Sequence, residues 1–303
     1  MWQLSGFAIG IVLGSFAKAL ADRSLNNRSF GGRSYCLNCK HKLQWYDLLP
    51  VLSYIFLVGK CRYCHKKVEI EYLLVEVGVG VLIGFLFFQS FNNLQFTIYN
   101  LQSIFNYQNL NFLITLILKT FFIVILITLF LTDLKKMFIP DRVILPAILI
   151  GLSLIIINTL LKIIYLYSDL SQSQIGRLLL PPHSPYFQRH ALLIAQPLFI
   201  SLGMGLLIGG FFMSLIIITR GKGMGGGDVK LGAFMGLMLG FPGSLIAIIG
   251  AFLTGAIFSI GLLIQGKKHF GESIPFGPFL VLGSLIALFW GNQIMNWYLH
   301  LSI

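Results

Sequence analysis

The sequence predicts an all-α polytopic membrane protein with about eight transmembrane helices and one small cytosolic loop domain. Hydrophobic residues make up 56% of the 303-residue chain and charged residues only 11%, and the mean hydropathy is +0.84. Several apolar runs reach the roughly 20 residues that cross the hydrocarbon core of a bilayer. Too little polar sequence remains to cover the surface of a soluble enzyme, which excludes that class.

Hydropathy places the spans at about 2–21, 72–90, 112–132, 143–163, 197–218, 229–241, 245–265 and 275–298. We expect the first span to stay as a helix, because its front end, MWQLSG, lacks the positive charge of a signal peptide and no cleavage site follows. The predicted domains are the first helix, the cytosolic loop and the membrane bundle, at 1–22, 23–71 and 72–303.

Lysine and arginine are concentrated in alternate connections, which predicts the orientation of the chain. Seventeen of them lie in four connections and only two in the others, the basic connections being 23–71, 133–142, 219–230 and 266–272. Because cytosolic loops are enriched in basic residues, we expect these four in the cytosol and both termini outside. The net charge of +12 is then explained by the basic cytosolic connections and by their attraction to the lipid bilayer. Nucleic-acid binding is not expected, because no soluble basic module is present.

Two long external connections contain no assembled set of catalytic residue types. Residues 91–111 are uncharged and rich in Asn and Gln, and residues 164–196 include the stretch LLPPHSPYFQRH. We interpret both as connectors with interfacial helices. His183 and His190 in the second connection are too few ligands to predict a metal site.

All four cysteines lie in the first cytosolic loop, as the pairs CLNC and CRYC. The 21 residues between the pairs fall at the upper edge of the spacing of four-cysteine zinc sites. Disulfides are disfavoured because the cytosol is reducing, and a redox role suits two coupled pairs less well than one closed tetrahedral site. We therefore predict a zinc-ribbon-like loop ordered by structural Zn²⁺, with ligands Cys36, Cys39, Cys61 and Cys64.

Acidic residues are scarce enough to be considered one by one, since the chain has only ten. Solvated ion pairing explains those in or beside the basic loops, which are Asp22, Asp47, Glu69, Glu71, Asp141 and Glu272. Three others lie at or inside predicted membrane boundaries, namely Glu76, Asp133 and Asp228. We assign no role to Glu76, and none to Lys119, which lies within the third span.

Asp133 ends the third predicted span and Asp228 begins the sixth, at similar depth on the cytosolic side. Taken singly, Asp228 is explained as a helix N-cap and Asp133 as an ion-pair partner of Lys135 or Lys136. Taken together, two facing carboxylates can share a proton, so that one acts as general base on water and the other protonates the substrate. We favour this aspartic-protease chemistry, which uses no catalytic metal.

The stretch GMGGGD before the sixth span predicts backbone that a substrate can approach closely. Glycine has no Cβ and permits sharp turns, which makes Gly225, Gly226 and Gly227 candidates for substrate binding. These glycines also place Asp228 in the first turn of its helix, where the helix dipole favours a negative charge.

Six segments together resemble the bacterial prepilin peptidases, the type IV leader peptidases of the GxGD class of aspartic membrane proteases. They are GSF at 14–16, the cysteine block at 36–64, EYLLVE at 71–76, DLKKMFIPD at 133–141, GGGDVKLGA at 225–233 and PFGPFLVLG at 275–283. The resemblance implies cleavage of the leaders of type IV prepilins and pseudopilins at the cytosolic face of the bacterial inner membrane. It also implies that Asp133 and Asp228 are the catalytic pair.

The resemblance further implies N-methylation of the new amino terminus from S-adenosylmethionine, an activity of many members with the cysteine loop. The residues alone do not predict this activity, because no glycine-rich fingerprint follows a predicted strand. The chain departs from the family at Ala17 and Lys18, where Leu and Asn usually follow GSF.

For cleavage, we hypothesise that the peptide binds in an extended form along Gly225–Gly227 and along the stretch IPD at 139–141. In this stretch Pro140 interrupts helical geometry beside Asp141.

Three other functions fit part of the pattern. A protease of the presenilin or signal peptide peptidase kind shares the aspartates but not the four-cysteine loop. A transporter with two membrane aspartates that carry protons or cations also suits broken, glycine-rich helices. Zinc-dependent hydrolysis needs an open coordination position, which four sulfur ligands do not leave.

Overall fold

The computed structural model describes residues 2–36, 38–92, 107–221, 224–265 and 275–301. This part of the chain contains no β-strand and nine α-helices: α1 Trp2–Leu25, α2 Leu52–Phe56, α3 Ile70–Asn92, α4 Tyr107–Lys136, α5 Asp141–Gln172, α6 Gln174–Leu178, α7 Tyr186–Ile218, α8 Gly226–Ile264 and α9 Gly277–Leu301. Seven of these are long and apolar enough to cross a membrane, namely α1, α3, α4, α5, α7, α8 and α9. Apolar runs form helices because a helix satisfies its own backbone hydrogen bonds in hydrocarbon. The predicted all-α membrane class is confirmed.

The eight predicted spans correspond to seven helices, because α8 contains both the sixth and the seventh. Its 39 residues are more than the roughly 20 that one crossing of a bilayer core requires. Its helical geometry breaks where Gly240 has φ 59° and ψ −164° and Phe241 has φ −92° and ψ 140°. The positive φ favours glycine, and Pro242 follows directly. The predicted boundary between the sixth and seventh spans therefore coincides with a break at which two helical segments meet.

One predicted external connection is mostly helical. Helix α5 runs to Gln172, α6 follows, and α7 already begins at Tyr186, so little of 164–196 is irregular. Pro197, at the predicted start of the fifth span, lies inside α7, which membrane helices tolerate. Of the other predicted connection, 91–111, residues 93–106 lie outside the described residues.

The chain forms two compact units. The first comprises Met1–Thr97 and Thr120–Val143, and the second comprises Ile98–Lys119 and Ile144–Ile303. The first unit thus holds α1, the cysteine loop, α3 and the second half of α4, and the second unit holds α7, α8 and α9.

In the first unit, α1 and α3 pack with their backbones in contact along a row of glycines. Gly6, Gly10 and Gly14 are buried and recur every four residues of α1, which places them on one face. A Cβ added to Gly10 would lie 2.7 Å from the Gly80 Cα and 2.8 Å from the Val79 carbonyl oxygen. Small residues at this spacing let membrane helices approach closely, and the close contact stabilises the pair.

In the second unit, α8 packs against two helices by the same means. A Cβ on Gly236 would lie 2.5 Å from the carbonyl oxygen of Met204 in α7, and a Cβ on Gly283 of α9 would clash with the carbonyl oxygen of Ala247. Gly236 precedes the break at Gly240 and Ala247 follows it. The two parts of α8 therefore contact different neighbours.

Replacing Gly10 by alanine is expected to lower the thermal stability of the protein in detergent. The new methyl group meets backbone atoms of α3 that cannot rotate away, and such overpacking costs about 1–3 kcal/mol. Gly78→Ala on α3 is the matched control, because its added Cβ meets no atom within 4 Å. Thermal unfolding of the two variants checks this, and equal melting temperatures would contradict the packing of α1 on α3.

Candidate functional site

The cysteine loop contains two similar turns, one for each CxxC pair. In the first turn, the Cys36 amide donates to the His41 carbonyl at 3.0 Å, and the Lys40 amide donates to the Cys36 carbonyl at 2.9 Å. The second turn repeats this pattern, with the Cys61 amide donating to the Lys66 carbonyl at 2.9 Å. An isolated β-bridge flanks each turn. Two equivalent turns therefore present two pairs of thiols.

The four thiols converge on one point. Their Sγ atoms all lie within 4.8 Å of one another, and those of Cys36 and Cys64 are 3.9 Å apart. Sulfurs around tetrahedral Zn²⁺ are about 3.8 Å apart, given Zn–S bonds of about 2.3 Å. The Asn38 amide nitrogen lies 3.6 Å from the Cys64 Sγ, and Lys66 donates to the Asn38 oxygen at 3.0 Å. The predicted ligands are therefore close enough to hold one metal ion, and a set of four sulfurs suits zinc.

Local hydrogen bonds make the thiols unequal. The Lys66 amide, followed by the Asn38 side chain, lowers the pKa of Cys64 to about 6. The His41 amide lowers the pKa of Cys39, but desolvation and the neighbouring sulfurs outweigh it and raise that pKa to about 11. Because ligation requires thiolates, uptake of a metal ion by this set releases protons.

A cavity of about 410 Å³ lies between the cysteine loop and helices α1 and α3. Its wall includes Ser15 of α1, Glu76 of α3, and Cys36 and Cys61 of the loop. The Glu76 side chain is buried, and its Oε2 accepts a hydrogen bond from the Val51 amide at 2.7 Å. The volume is typical of small-molecule sites, and a buried carboxylate in the wall suits a cationic ligand.

A network of ion pairs joins α1, α3 and α4 beside this cavity. Lys18, which is fully buried, lies 2.8 Å from the Asp22 carboxylate and 3.2 Å from that of Glu71. Lys135 of α4 pairs with the same carboxylates, at 2.8 Å from Glu71 and 3.6 Å from Asp22. Tyr72, a cavity residue, donates to Asp22 at 2.6 Å. Each charge of the network thus has at least two partners.

Sequence reasoning missed this network. It explained Asp22 and Glu71 as solvated charges, whereas both pair with the fully buried Lys18. The spacing of Lys18 and Asp22, four residues apart on a helix, was the available signal. Lys135, considered as a partner for Asp133, pairs with Asp22 and Glu71 instead. Lys18, two residues after the segment GSF, therefore supplies the buried cation of the network.

Asp133 lies near the end of α4 and its side chain is 6% exposed. Its carbonyl accepts a hydrogen bond from the Met137 amide at 2.8 Å, and Met137 has a left-handed φ of 49°. Pro140 is buried, and the exposed Asp141 is the first residue of α5. These predicted site residues therefore border the short connection 137–140 in the first unit.

Asp228 is the third residue of α8, which confirms its predicted place in the first helical turn. Its Oδ2 accepts a hydrogen bond from the Gly225 amide at 3.3 Å, as in a capping box. Gly225 has an ordinary φ of −88°, so the sharp turn expected of the glycines does not occur there. Gly225 and Gly226 are instead exposed, and a Cβ on Gly226 would meet no atom within 4 Å. These two glycines therefore leave open space beside the backbone.

The structure brings the four cysteines together, whereas the two aspartates lie in different units. Asp133 belongs to the first unit and Asp228, with Gly225–Gly227, to the second. The catalytic pair therefore stays a prediction.

Comparison with known proteins identifies the family. Residues 8–90 match the Bacterial Peptidase A24 N-terminal domain, and residues 156–260 match the Type IV leader peptidase family. A Prepilin leader peptidase/N-methyltransferase of Legionella pneumophila is 30% identical over 276 residues, covering 88% of this chain and 75% of that protein. The chain belongs to the type IV leader peptidase family. This membership supports a membrane peptidase over a transporter.

Two further relatives with the same name extend the similarity. The protein of Aeromonas salmonicida (strain A449) is 28% identical over 270 residues, covering 88% of this chain and 74% of its own length. The protein of Bacillus subtilis (strain 168) is 26% identical over 300 residues, and the match covers 98% of this chain and 98% of that protein. No solved structure matches the chain. The family match at 156–260 includes Asp228, whereas Asp133 lies between the two matched ranges.

The purified peptidase is expected to contain about one zinc ion per chain, as four sulfur ligands bind one tetrahedral ion. Cys61→Ser should remove most of the metal and lower the melting temperature, because metal binding orders so small a loop. His65→Asn is the matched control, since His65 is not among the clustered ligands and asparagine accepts its φ of 55°. Metal analysis and thermal unfolding check this; full zinc content in Cys61→Ser would exclude the site.

Proposed function

We propose that this peptidase cleaves the amino-terminal leaders of type IV prepilins and pseudopilins, with Asp133 and Asp228 as the catalytic pair. The observation that carries the proposal is Asp228 in the first turn of α8, beside exposed glycines and within the range matched to the Type IV leader peptidase family. The charge distribution of the connections supports a multi-pass protein of the bacterial inner membrane with both termini outside. Cleavage then takes place at the cytosolic face.

In the proposed mechanism, the two aspartates divide the proton transfers. One carboxylate is ionised and removes a proton from a water molecule, which attacks the carbonyl carbon of the scissile bond. The other is protonated and donates its proton to the substrate, so that the amine leaves neutral. The backbone of Gly225–Gly227, together with Pro140 and Asp141, holds the peptide extended. Zinc is structural in this scheme, because four thiolates leave no open coordination position.

We also propose that the first unit N-methylates the mature amino terminus, as the names of the relatives suggest. When bound, S-adenosylmethionine supplies an electrophilic methyl group. The cavity of about 410 Å³ fits such a ligand by its volume and by the buried carboxylate of Glu76 in its wall. Glu76, held by the Val51 amide at 2.7 Å, offers negative charge to a sulfonium or ammonium group.

Asp133→Asn and Asp228→Asn are each expected to lower prepilin cleavage by about 10²–10⁴-fold, since each removes one of the proton-transfer groups. Asp169→Asn, which changes an exposed aspartate on α5, is the matched control and should cleave at the wild-type rate. Purified proteins in nanodiscs are compared by mass spectrometry of the product, and thermal unfolding verifies that each variant is folded.

Wild-type cleavage by either asparagine variant would refute the aspartyl mechanism. The same spectra report the second activity: with S-adenosylmethionine the product should gain the mass of one methyl group. A product that never gains this mass would refute methylation and leave the peptidase proposal intact.

Gly226→Ala is expected to lower prepilin cleavage by about 10- to 100-fold, because the added methyl group displaces the substrate backbone from the reacting groups. The fold should not suffer, since the new Cβ meets no protein atom within 4 Å and alanine favours helix. Gly210→Ala on α7, exposed and equally free of neighbours, is the control. Equal cleavage by both variants would show that the peptide does not pass Gly226.

A further inference from the structure

The short helix α2 of the cysteine loop carries an apolar face that is largely exposed. Leu52, Ile55 and Phe56 lie on this face because they are three and four residues apart. Their exposed fractions are 52%, 60% and 81%, and Val58 just beyond the helix is 80% exposed. The opposite side of the helix, with Ser53 and Tyr54, lines the cavity. These four exposed apolar residues are called here the α2 edge.

A hydrogen bond fixes the depth of α2 along the membrane helices. The Val51 amide, which immediately precedes α2, donates to the Glu76 carboxylate at 2.7 Å. Glu76 lies six residues into α3, about 9 Å from the first residue of that helix at a rise of 1.5 Å per residue. It also lies five residues beyond Glu71, the α3 member of the ion-pair network. The loop therefore folds back along α3 beyond the level of the ion-pair network. There α2 lies beside the apolar part of α3.

The net positive charge of the cysteine loop complements an anionic surface. Residues 23–71 contain nine Lys and Arg residues against three acidic ones. The exposed cations include Arg28, Arg33, Lys40, Lys42, Lys60 and Lys67. Exposed apolar residues combined with surrounding cations are typical of elements that lie in the interface of an anionic bilayer. Both ends of the loop continue directly into membrane helices, which keeps the edge within reach of lipid.

We propose that Leu52, Ile55, Phe56 and Val58 insert into the bilayer leaflet on the side of the cysteine loop, with anionic lipid as their partner. The loop is then held at its polar end by the metal site and at its apolar end by lipid. This anchoring keeps the cavity of the first unit at the membrane surface, where a membrane-bound peptide presents its terminus. The proposal does not depend on the chemistry of cleavage or methylation.

The test places a single tryptophan on the α2 edge of the full-length protein. The chain carries Phe56→Trp, and the native tryptophans are replaced by phenylalanine at Trp2, Trp45, Trp290 and Trp297. Nanodiscs contain phosphatidylglycerol with or without bromine atoms on the acyl chains, which quench nearby indoles. Lys42→Trp in the same background is the matched control, because Lys42 is exposed and forms an isolated β-bridge with Tyr35 beside the first CxxC turn. Leu52→Trp is an independent second reporter, and zinc content verifies the folded loop.

Brominated lipid should remove most of the emission from the indoles at positions 56 and 52 and little of that at position 42. Little quenching at both edge positions, or equal quenching at all three, would overturn the proposal. A different result would assign the α2 edge to substrate binding: bromine would not quench the indoles at positions 52 and 56, and their emission would shift only when a prepilin is added. An emission shift of these indoles that depends only on the number of protein chains per nanodisc would assign the α2 edge to contact with a second copy of the protein.

Discussion

The contact between the backbones of α1 and α3 is the constraint on which the first unit depends. Glycines at 6, 10 and 14 remove the side chains that would hold the two helices apart. At this separation Lys18 of α1 reaches Glu71 of α3, and Ser15 and Glu76 line one cavity. Since two membrane helices gain little from burying apolar surface against each other in lipid, close packing and buried polar contacts must stabilise the pair.

Polar groups then determine where the loop between these helices lies. The ion-pair network joins α1, α3 and α4, and the hydrogen bond from Val51 to Glu76 draws the loop toward the apolar part of α3. The four clustered thiols close the other end of the loop. A segment too small for a hydrophobic core of its own is thus held by a metal site, a buried carboxylate and, as we propose, lipid. The metal site and the buried carboxylate border the same cavity.

The sequence was sufficient for features that depend on composition or local spacing. The membrane class followed from hydropathy, the metal cluster from two CxxC pairs, and the position of Asp228 from glycines that precede an apolar run. It was insufficient where distant segments meet, as for Lys18 with Glu71 or Val51 with Glu76, because nothing local marks such pairs. The boundary predicted between the sixth and seventh spans coincides with the break at Gly240 and Phe241, because glycine followed by proline marks such a break locally.

The central claim is that Asp133 and Asp228 act together, one ionised and one protonated. The measurement that tests it most directly is the pH dependence of prepilin cleavage by the wild-type protein in nanodiscs, with zinc content determined at each pH. The account predicts a bell-shaped profile, because acid protonates the general base and alkali ionises the general acid. A rate that rises once with pH and then stays constant would contradict it, since only one carboxylate would then take part in the reaction.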